Sequence, residues 1–466
     1  MSNVTYRAKS DFVYFKDSAY MQFNKILTRN LILPFGDLVF GQRMMSRLKF
    51  LENAQWWEPD RITNWQNNEL QKLIQVAYNE VPFYRQLFDS ASVRPEEIQS
   101  AKELSRIPIV TKDMLRKGYP TLTTRKTGQR TYEAGTSGST GKNFFVQEDA
   151  YTAGWYRATF LLSQEWSGWS IGEPHLQTGI TPNRSKDRRL KDWILGCHYY
   201  SAYSLDDEHL AEMLSEIEKH NLKYVWGYPG SLYYLARYAS SQGWNRPLKS
   251  VVTWGDMLQS HYRQMIETTF QTRVFDTYGC GEGIQISAQC EQGNYHLHSF
   301  DVIVEFLDDA GNPVSAGEPG NIVVTRLHPG PMPLIRYAVG DIGVPSDLGP
   351  CACGRGLPIM KSVQGRSADM IITPSGNRLI VHYFTGILEH FKEIDTFQVV
   401  QHAPGSVTVR ILPKETISEL LIREMVNALK SHGASDVAFN IEIVDAISLS
   451  PAGKHRFIIN EQDLLK

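Results

Sequence analysis

The sequence predicts an α/β protein with a large N-terminal domain containing a parallel sheet and a β-subdomain, followed by a small α+β C-terminal domain. Three observations lead to this prediction. Apolar runs of strand length alternate with helical segments between 205 and 290, and short alternating strands follow between 295 and 365. Strands and helices then mix in roughly the last 100 residues. We place the domain boundary within 364–369, which gives domains 1–364 and 365–466.

The N-terminal part reads as helical. Residues 66–79 have a helical pattern that ends near Val81, because the following Pro82 restricts that residue to extended backbone. Pro82 then opens a second helix, and Thr111 has the character of a helix N-cap.

The middle of the chain predicts crossover units of strand and helix. We expect strands at 224–226, 250–254 and 273–278, each ended by a glycine, namely Gly227, Gly255 and Gly279. Helices are expected at 209–220, at 231–240 and up to residue 270. Ligands bind at the carboxyl ends of parallel strands, so these glycines mark the expected position of a site.

The β-subdomain and the C-terminal domain follow from shorter patterns. Strands are expected at 298–307, 320–326 and 334–339, with a hairpin turn at 308–311. In the C-terminal domain we expect strands at 396–401, 406–412 and 438–444, and helices at 382–390 and 418–432.

The composition excludes several classes of protein. Hydrophobic residues make up 42% and charged residues 21% of the chain, and the formal net charge is −2. These values are typical of a globular protein, and the net charge is too small to create an electrostatic field that would attract nucleic acid. Residues 1–30 carry no secretion signal pattern, and no run approaches the roughly 20 apolar residues of a membrane span. A cytoplasmic enzyme is expected, and its oligomeric state is left open, with a homodimer as one option.

The most informative segment is 135–142, which reads Gly-Thr-Ser-Gly-Ser-Thr-Gly-Lys. Glycines let the backbone approach a ligand, while hydroxyls, amides and the charge of Lys142 suit phosphate oxygens. The spacing differs from a P-loop, which needs four residues between its glycine and Gly-Lys, whereas five separate Gly135 from Gly141. A phosphate-binding loop of another kind is therefore predicted over a flexible linker.

Five segments in order resemble the motifs of acyl-adenylate-forming enzymes. They are the phosphate loop 136–142, the Tyr-Gly-x-Thr-Glu-like segment 278–282, the Tyr-Arg-Thr-Gly-Asp-like segment 336–341, the hinge 365–369 and the lysine motif 451–454. Residues 81–85 and 107–112 resemble the phenylacetate–CoA ligase branch of this family, especially its relatives associated with capsule polysaccharide synthesis.

The resemblance implies ATP-dependent activation of a carboxylic acid, with a small C-terminal domain that moves between half-reactions. The implied phosphate cradle is Thr136, Ser137, Gly138, Ser139, Thr140, Gly141 and Lys142. Glu282 would hold Mg²⁺, Tyr278 would stack on adenine, and Asp341 would accept hydrogen bonds from the ribose. The remaining implied nucleotide residues are Gly255, Asp256, Gly279, Cys280 and Arg366.

Lys454 would bridge the carboxylate and the α-phosphate as charge develops. The acid pocket is expected to include Trp226, Tyr228 and Trp254, which favour a planar acid or serve only as wall residues. Cys280 is expected to line the pocket as a small residue, since no His or Asp pairing that would make it a nucleophile is evident.

Four of the remaining side chains predict a structural zinc site. Cys290, His296, Cys351 and Cys353 offer the thiolate and imidazole ligands that tetrahedral Zn²⁺ prefers, and His298 could replace His296. The odd count of five cysteines argues against a disulfide framework.

The chain departs from the family at the hinge, where Ala368 stands in the usual position of Asp or Lys and Asp369 comes next. The following segment 372–378 also differs, so the acceptor is left open between a thiol, of CoA or a carrier, and an amine. Two other functions remain as alternatives: a nucleotidyl- or phosphotransferase that uses the same loop, and a non-catalytic zinc-stabilised adaptor.

Overall fold

The structure is a computed structural model that describes residues 25–137, 143–179, 184–202, 205–364, 370–375, 378–388, 390–403, 405–447 and 458–460. Within this part the fold is α/β, as the sequence predicts. None of the described helices is long and apolar enough to cross a membrane.

Helices come first along the described chain. The predicted helix at 66–79 is longer, Pro59–Glu80, because a proline at its first position starts it earlier. It ends at Val81, whose backbone is extended ahead of Pro82, as expected. The helical segments of this region are Thr28–Ile32, a π-helix, then Leu33–Phe40, Met44–Ala54, Pro59–Glu80, Pro82–Ser90, the 3₁₀ turns Pro95–Glu97 and Ala101–Arg106, and Lys112–Gly118.

The later helices are Ala150–Trp166, Lys186–Ile194, Asp207–Lys219, Pro229–Ser241, Ser260–Phe270, Val381–Leu388 and Glu419–Ser431. The described strands, in chain order, are β1 Thr131–Ser137, β2 Asn143–Asp149, β3 His175–Gly179, β4 Cys197–Ser201, β5 Tyr224–Gly227, β6 Ser250–Thr253, β7 Val274–Cys280, β8 Ile284–Gln289, β9 Tyr295–Leu297, β10 Val302–Leu307, β11 Gly320–Arg326, β12 Tyr337–Pro345, β13 Ile359–Gln364, β14 Met370–Ile372, β15 Arg378–Ile380, β16 Ile394–Ala403, β17 Ser406–Pro413, β18 Ala438–Ile443 and β19 Ile458–Asn460.

An eleven-stranded sheet runs in the order β10-β11-β12-β13-β9-β8-β7-β6-β5-β3-β4. Strands β4, β3, β5, β6 and the first half of β7 are parallel, and the remainder of the sheet is antiparallel. Strand β7 belongs to both regions: residues 274–276 pair with β6 and residues 277–280 pair with β8. The carboxyl ends of β5, β6 and β7 therefore meet where the direction of pairing changes.

Two predicted strands of the β-subdomain were wrong in their bounds. The segment 298–307 starts as a turn, in which Asp301 N–H donates to the His298 carbonyl, and only β10 is extended. The strand expected at 334–339 begins at Tyr337, because Arg336 has a φ of 46° and its N–H bonds to the Thr325 side chain. The turn at 308–311 is confirmed by the bond from Gly311 N–H to the Asp308 carbonyl.

The sequence analysis also missed the hairpin of β1 and β2, the strands β3 and β4, and the helix Ala150–Trp166. This helix is buried between sheet and N-terminal helices, so its residues are apolar or small on several faces rather than along one stripe.

The described C-terminal residues have a core of their own. Strands β16 and β17 pair antiparallel, and β18 and β19 add to the two sides in parallel. Helices Val381–Leu388 and Glu419–Ser431 supply buried side chains such as Phe384 and Met425 to this core.

Candidate active site

Glu282 lies in the tight turn between β7 and β8, and its side chain is 1% exposed. Lys112 Nζ lies 2.9 Å from Glu282 Oε1, and the Tyr337 hydroxyl donates to the same oxygen at 2.6 Å. Burial alone would raise the pKa of Glu282, but the charge of Lys112 and the bond from Tyr337 outweigh it and leave the pKa below its ordinary value. The turn therefore holds a buried, ionised carboxylate.

Lys112 reaches this carboxylate because its segment is attached to the edge of β12. Val110 N–H donates to the Arg336 carbonyl at 2.8 Å, and Ala338 N–H donates back to Val110 at 2.9 Å. The Thr111 side chain then caps the helix Lys112–Gly118, as the sequence predicts. Lys112 belongs to a segment that the sequence analysis quoted without giving it a role, so this site residue was missed.

Arg336 is bonded to residues outside the turn that carries Glu282. Its guanidinium makes two bonds to the Glu305 carboxylate, at 3.1 and 2.9 Å, and a third to the Ile107 carbonyl at 2.5 Å. Arg336, which directly precedes β12, thus connects the segment before Lys112 to Glu305 on β10.

Tyr278 and Asp341 are brought together, as the resemblance implies for two residues of one nucleotide site. The Tyr278 hydroxyl donates to Asp341 Oδ2 at 3.0 Å. Burial, followed by the charge of Asp341, raises the pKa of Tyr278 well above its ordinary value, so the hydroxyl stays protonated. Glycine is required at position 279, directly after Tyr278, because a Cβ there would lie 2.6 Å from the Ile284 carbonyl oxygen.

Cys280 follows in the same strand. Burial, followed by the charge of Glu282, raises the pKa of its thiol well above the ordinary value. A protonated thiol is a poor nucleophile, which agrees with the expectation that Cys280 only lines the site.

Residues 138–142 of the predicted phosphate loop lie outside the described residues, as do Arg366 and Lys454. The backbone of Thr136 pairs with Phe144 and that of Ser137 with Asn143, at the end of the β1–β2 hairpin. The Phe144 ring stacks on Tyr337 with 6.3 Å between ring centroids. The strand that follows the loop therefore starts beside the Tyr337–Glu282 bond.

The expected acid-pocket residues lie within β5 or directly after β5 and β6. Gly255 has a φ of 85°, and a Cβ there would lie 2.4 Å from a ring carbon of Tyr228, so only glycine fits beside this ring. Trp254 meets Phe160 edge to face, with 5.6 Å between ring centroids.

Trp226 is buried and stacks on His175 with 3.7 Å between ring centroids, which makes it a wall residue of the sheet core. Asp256 is half-buried in the bend after Gly255.

Helix Ala150–Trp166 contributes two aromatic residues that the sequence analysis did not identify. Tyr156 and Phe160 lie one turn apart on this helix with ring centroids 6.4 Å apart. Burial raises the pKa of Tyr156 above its ordinary value, and the charge of Glu148 raises it further. The apolar pattern of this helix does not distinguish Tyr156 and Phe160 from residues of the core, so the sequence carries no signal for them.

A buried ion pair supports the turn that carries Glu282. Arg326 Nη1 donates to Glu148 Oε1 at 3.1 Å, and both side chains are at most 7% exposed. A Cβ on Gly283, whose φ is 72°, would lie 2.2 Å from the same Glu148 oxygen. The pair therefore packs against the turn itself, and only glycine fits at position 283.

The four predicted metal ligands come together at the end of β8, on β9 and in the loop before β13. The ligand atoms of Cys290, His296, Cys351 and Cys353 all lie within 4.8 Å of one another. Within the cluster, Cys290 Sγ lies 3.8 Å from Cys351 Sγ, and Cys353 Sγ lies 3.2 Å from His296 Nε2. His296 Nδ1 bonds to the Leu357 carbonyl at 2.9 Å, which turns Nε2 toward the cysteines.

Nitrogen donors surround the sulfur atoms of this cluster. Backbone N–H groups of Gln292 and Arg355 donate to Cys290 and Cys353 at 3.4 and 3.5 Å, and the Asn294 amide donates to Cys351 at 3.2 Å. The alternative ligand His298 is separate, since its Nε2 lies 3.0 Å from Ser163 Oγ. The arrangement has the donor set and closed surroundings of a structural zinc site.

Comparisons with known proteins agree with the fold and with the resemblance. Residues 371–461 match the family model of the CapK C-terminal domain. Protein CapK of Staphylococcus aureus is 22% identical over 93% of this chain and 97% of its own length. A phenylacetate-coenzyme A ligase of Thermus thermophilus is 24% identical over 85% of this chain and 94% of its own.

Among solved structures, a 2-hydroxyisobutyryl-CoA ligase in the postadenylation state superimposes with a TM-score of 0.56. It is 19% identical and covers 86% of this chain and 89% of that chain, so the likeness concerns the fold. The homologues of this chain are thus CapK and phenylacetate-CoA ligases, and the resemblance to the phenylacetate–CoA ligase-like branch of adenylate-forming enzymes is confirmed.

Proposed function

We propose that this chain is an ATP-dependent ligase that joins a carboxylic acid to AMP, releases pyrophosphate, and then transfers the acyl group to a thiol. The observation that carries the proposal is the buried Glu282 carboxylate, held ionised by Lys112 and Tyr337 beside the strand that follows the phosphate loop. Buried charge is costly, so a buried carboxylate at the carboxyl end of a strand is typical of a site that handles charge.

The nucleotide half of the site combines four features. The loop 136–142 is proposed to cradle the phosphates, and Asp341, already oriented by Tyr278, to accept from the ribose hydroxyls. Arg366 and Lys454 keep the roles that the resemblance implies, contact with ribose or phosphate and bridging of the reacting carboxylate and α-phosphate. In this proposal the loop, Asp341 and Arg366 bind and orient the nucleotide, and Lys454 stabilises the charge that develops in transfer.

Glu282 also fits a magnesium site. A carboxylate is the hard oxygen ligand that Mg²⁺ prefers, and the ion would neutralise the phosphates when bound with ATP. Lys112 balances the Glu282 charge in the absence of the ion, since its Nζ lies 2.9 Å from the carboxylate.

The acid half of the site lies along Tyr228, Trp254, Gly255 and Phe160. These aromatic faces suit a planar or apolar acid, and Gly255 keeps the backbone accessible. A CoA or carrier thiol is the proposed acceptor, supported by the similarity to a phenylacetate-coenzyme A ligase. An amine acceptor is the second option, because the segment after the hinge departs from the family pattern.

Three further proposals complete the assignment. Zn²⁺ at Cys290, His296, Cys351 and Cys353 holds the loop before β13 to strands β8 and β9. Domains 1–364 and 365–466 act as the nucleotide-binding and mobile units, which is supported by a family match that begins at residue 371. The reaction serves surface polysaccharide or secondary metabolite synthesis in the cytoplasm, as the capsule-associated relatives of the branch suggest.

The test is exchange of labelled pyrophosphate into ATP with the full chain and a panel of aromatic, fatty, amino and uronic acids. Acid-dependent exchange is expected, and it should fall at least about 100-fold in Glu282→Gln, which keeps the shape and removes the charge. Glu318→Gln, at an exposed loop position, is the matched control and should exchange normally. Release of ADP in place of AMP would favour phosphate transfer, and a failure of every acid despite ATP binding would favour the adaptor.

A further inference from the structure

We infer that His198, Glu216 and His220 form a second transition-metal site, at the β4 edge of the large sheet. This site is separate from the cysteine cluster, since β4 ends the parallel region while β8 and β9 lie in the antiparallel region. The inference does not depend on the proposed ligase activity.

The three side chains converge from two elements. His198 lies on β4, while Glu216 and His220 lie four residues apart at the end of the helix Asp207–Lys219, where His220 is the C-cap residue. Residues four apart on a helix project from the same face, so both reach toward the strand.

The distances fit a small coordination sphere. His198 Nδ1 lies 2.7 Å from Glu216 Oε1, and His220 Nε2 lies 3.6 Å from the same oxygen. The three ligand atoms lie within 4.8 Å of one another, and the two imidazole centroids are 4.8 Å apart. Ligands around a tetrahedral Zn²⁺ are about 3.3 Å apart, given Zn–N distances of about 2.0–2.1 Å. Only small side-chain adjustments separate this arrangement from a coordinated one.

The donor set and its burial indicate which metal fits. Two imidazoles and one carboxylate form a borderline nitrogen and oxygen set, which suits Zn²⁺ and similar divalent ions better than Ca²⁺ or Mg²⁺. The side chains of His198, Glu216 and His220 are 2%, 20% and 14% exposed. The set is therefore shielded but reachable from solvent, and water can complete a fourth position.

The other histidine of this helix has a different partner. His209 Nε2 lies 2.9 Å from the Ser201 carbonyl, so it also joins the helix to β4 but stands outside the cluster. This gives the site an internal control of the same residue type on the same two elements.

The experiment measures Zn²⁺ bound per chain, by equilibrium dialysis and elemental analysis, after stripping the full protein with a chelator. The variants are His220→Asn, which suits a helix C-cap, His209→Asn, and Cys351→Ser, which addresses the other cluster. His220→Asn is expected to bind one Zn²⁺ fewer than the unmodified chain, while His209→Asn binds the same number.

A second readout separates the two sites. Co²⁺ bound by thiolates gives a charge-transfer band, so this band should persist in His220→Asn and weaken in Cys351→Ser. Equal melting temperatures of the stripped His220→Asn and unmodified proteins exclude a folding defect as the cause. Unchanged Zn²⁺ content in His220→Asn, or an equal loss in His209→Asn, would overturn the assignment and leave a hydrogen-bonded His–Glu–His cluster.

Discussion

Replacing Lys112 with methionine tests how the buried carboxylate at position 282 is held. Methionine keeps most of the side-chain length, so the change removes the charge 2.9 Å from Glu282 and little packing. Removal of one partner of a buried pair costs about 3–5 kcal/mol, because the other charge stays buried. Tyr337 still donates at 2.6 Å, so we expect a loss of about 2–3 kcal/mol in the free energy of unfolding at neutral pH.

The pH dependence follows from the pKa of Glu282, which the Lys112 charge and the hydrogen bonds lower in spite of burial. A lowered folded-state pKa contributes stability above the unfolded pKa, and this stability is lost as pH falls through the folded value. In Lys112→Met burial is no longer offset by the ammonium, so the pKa of Glu282 rises. The stability deficit of the variant should therefore be largest where Glu282 is ionised and should shrink as pH falls and the carboxylate is protonated, whereas activity, which needs the ionised carboxylate, should be lost at a higher pH than in the unmodified chain.

The assays are urea unfolding and pyrophosphate exchange, each followed across pH. Lys117→Met, on the same helix and exposed, is the control that accounts for the loss of one positive charge. If Lys112→Met unfolds at the same urea concentration as this control and its acid limb is unshifted, the ion pair does not hold Glu282 as we infer.

Three other changes test separate parts of the molecule. Cys351→Ser should lose one bound Zn²⁺ and lower Tm by several degrees. The control Cys197→Ser, which changes a buried cysteine outside the cluster, should keep its metal. Equal metal content in the two variants would count against the zinc assignment. Tyr278→Phe should raise KM for ATP about tenfold with little change in kcat, because Asp341 loses a hydrogen bond at 3.0 Å. An unchanged KM would contradict the proposal that Asp341 binds the nucleotide. In urea titrations, the free energy of unfolding of Gly283→Ala should be about 1–3 kcal/mol lower than that of Gly168→Ala. Both glycines have a positive φ, but only a Cβ at position 283 would meet Glu148. Equal losses of stability in the two variants would show that backbone strain alone matters.

Much of the fold could be predicted because its signals are local. The helix that ends at Val81 and the turn at 308–311 each depend on a proline, a glycine or an aspartate at a defined position. Helix Ala150–Trp166 could not be predicted in this way, because it is buried on several sides and shows no single apolar stripe. The bounds of β12 depended on the tertiary bonds of Arg336, which no local pattern contains.

In the candidate site, too, some residues could be predicted from local motifs and others only from tertiary contacts. Glu282, Tyr278 and Asp341 stand in motifs whose order along the chain pointed to them, and the structure brings Tyr278 and Asp341 within hydrogen-bonding distance. Lys112 and Glu148 were not identified, since each acts through a contact more than 130 residues away in sequence. For the cysteine cluster, residue type and spacing were enough to name Cys290, Cys351 and Cys353 together with His296 or His298, and geometry decided in favour of His296.

The double pairing of β7 has a consequence for how substrate preference can change. Its first half is hydrogen-bonded into the region that ends in Gly255 and Trp254, and its second half carries Tyr278 and leads to Glu282. One continuous strand thus lies between the residues proposed to select the acid and the residues proposed to hold the nucleotide. Under the proposed function, side chains on the acid side can be exchanged without altering the β7–β8 pairing that positions Tyr278, so the preferred acid can change while the nucleotide side is left intact.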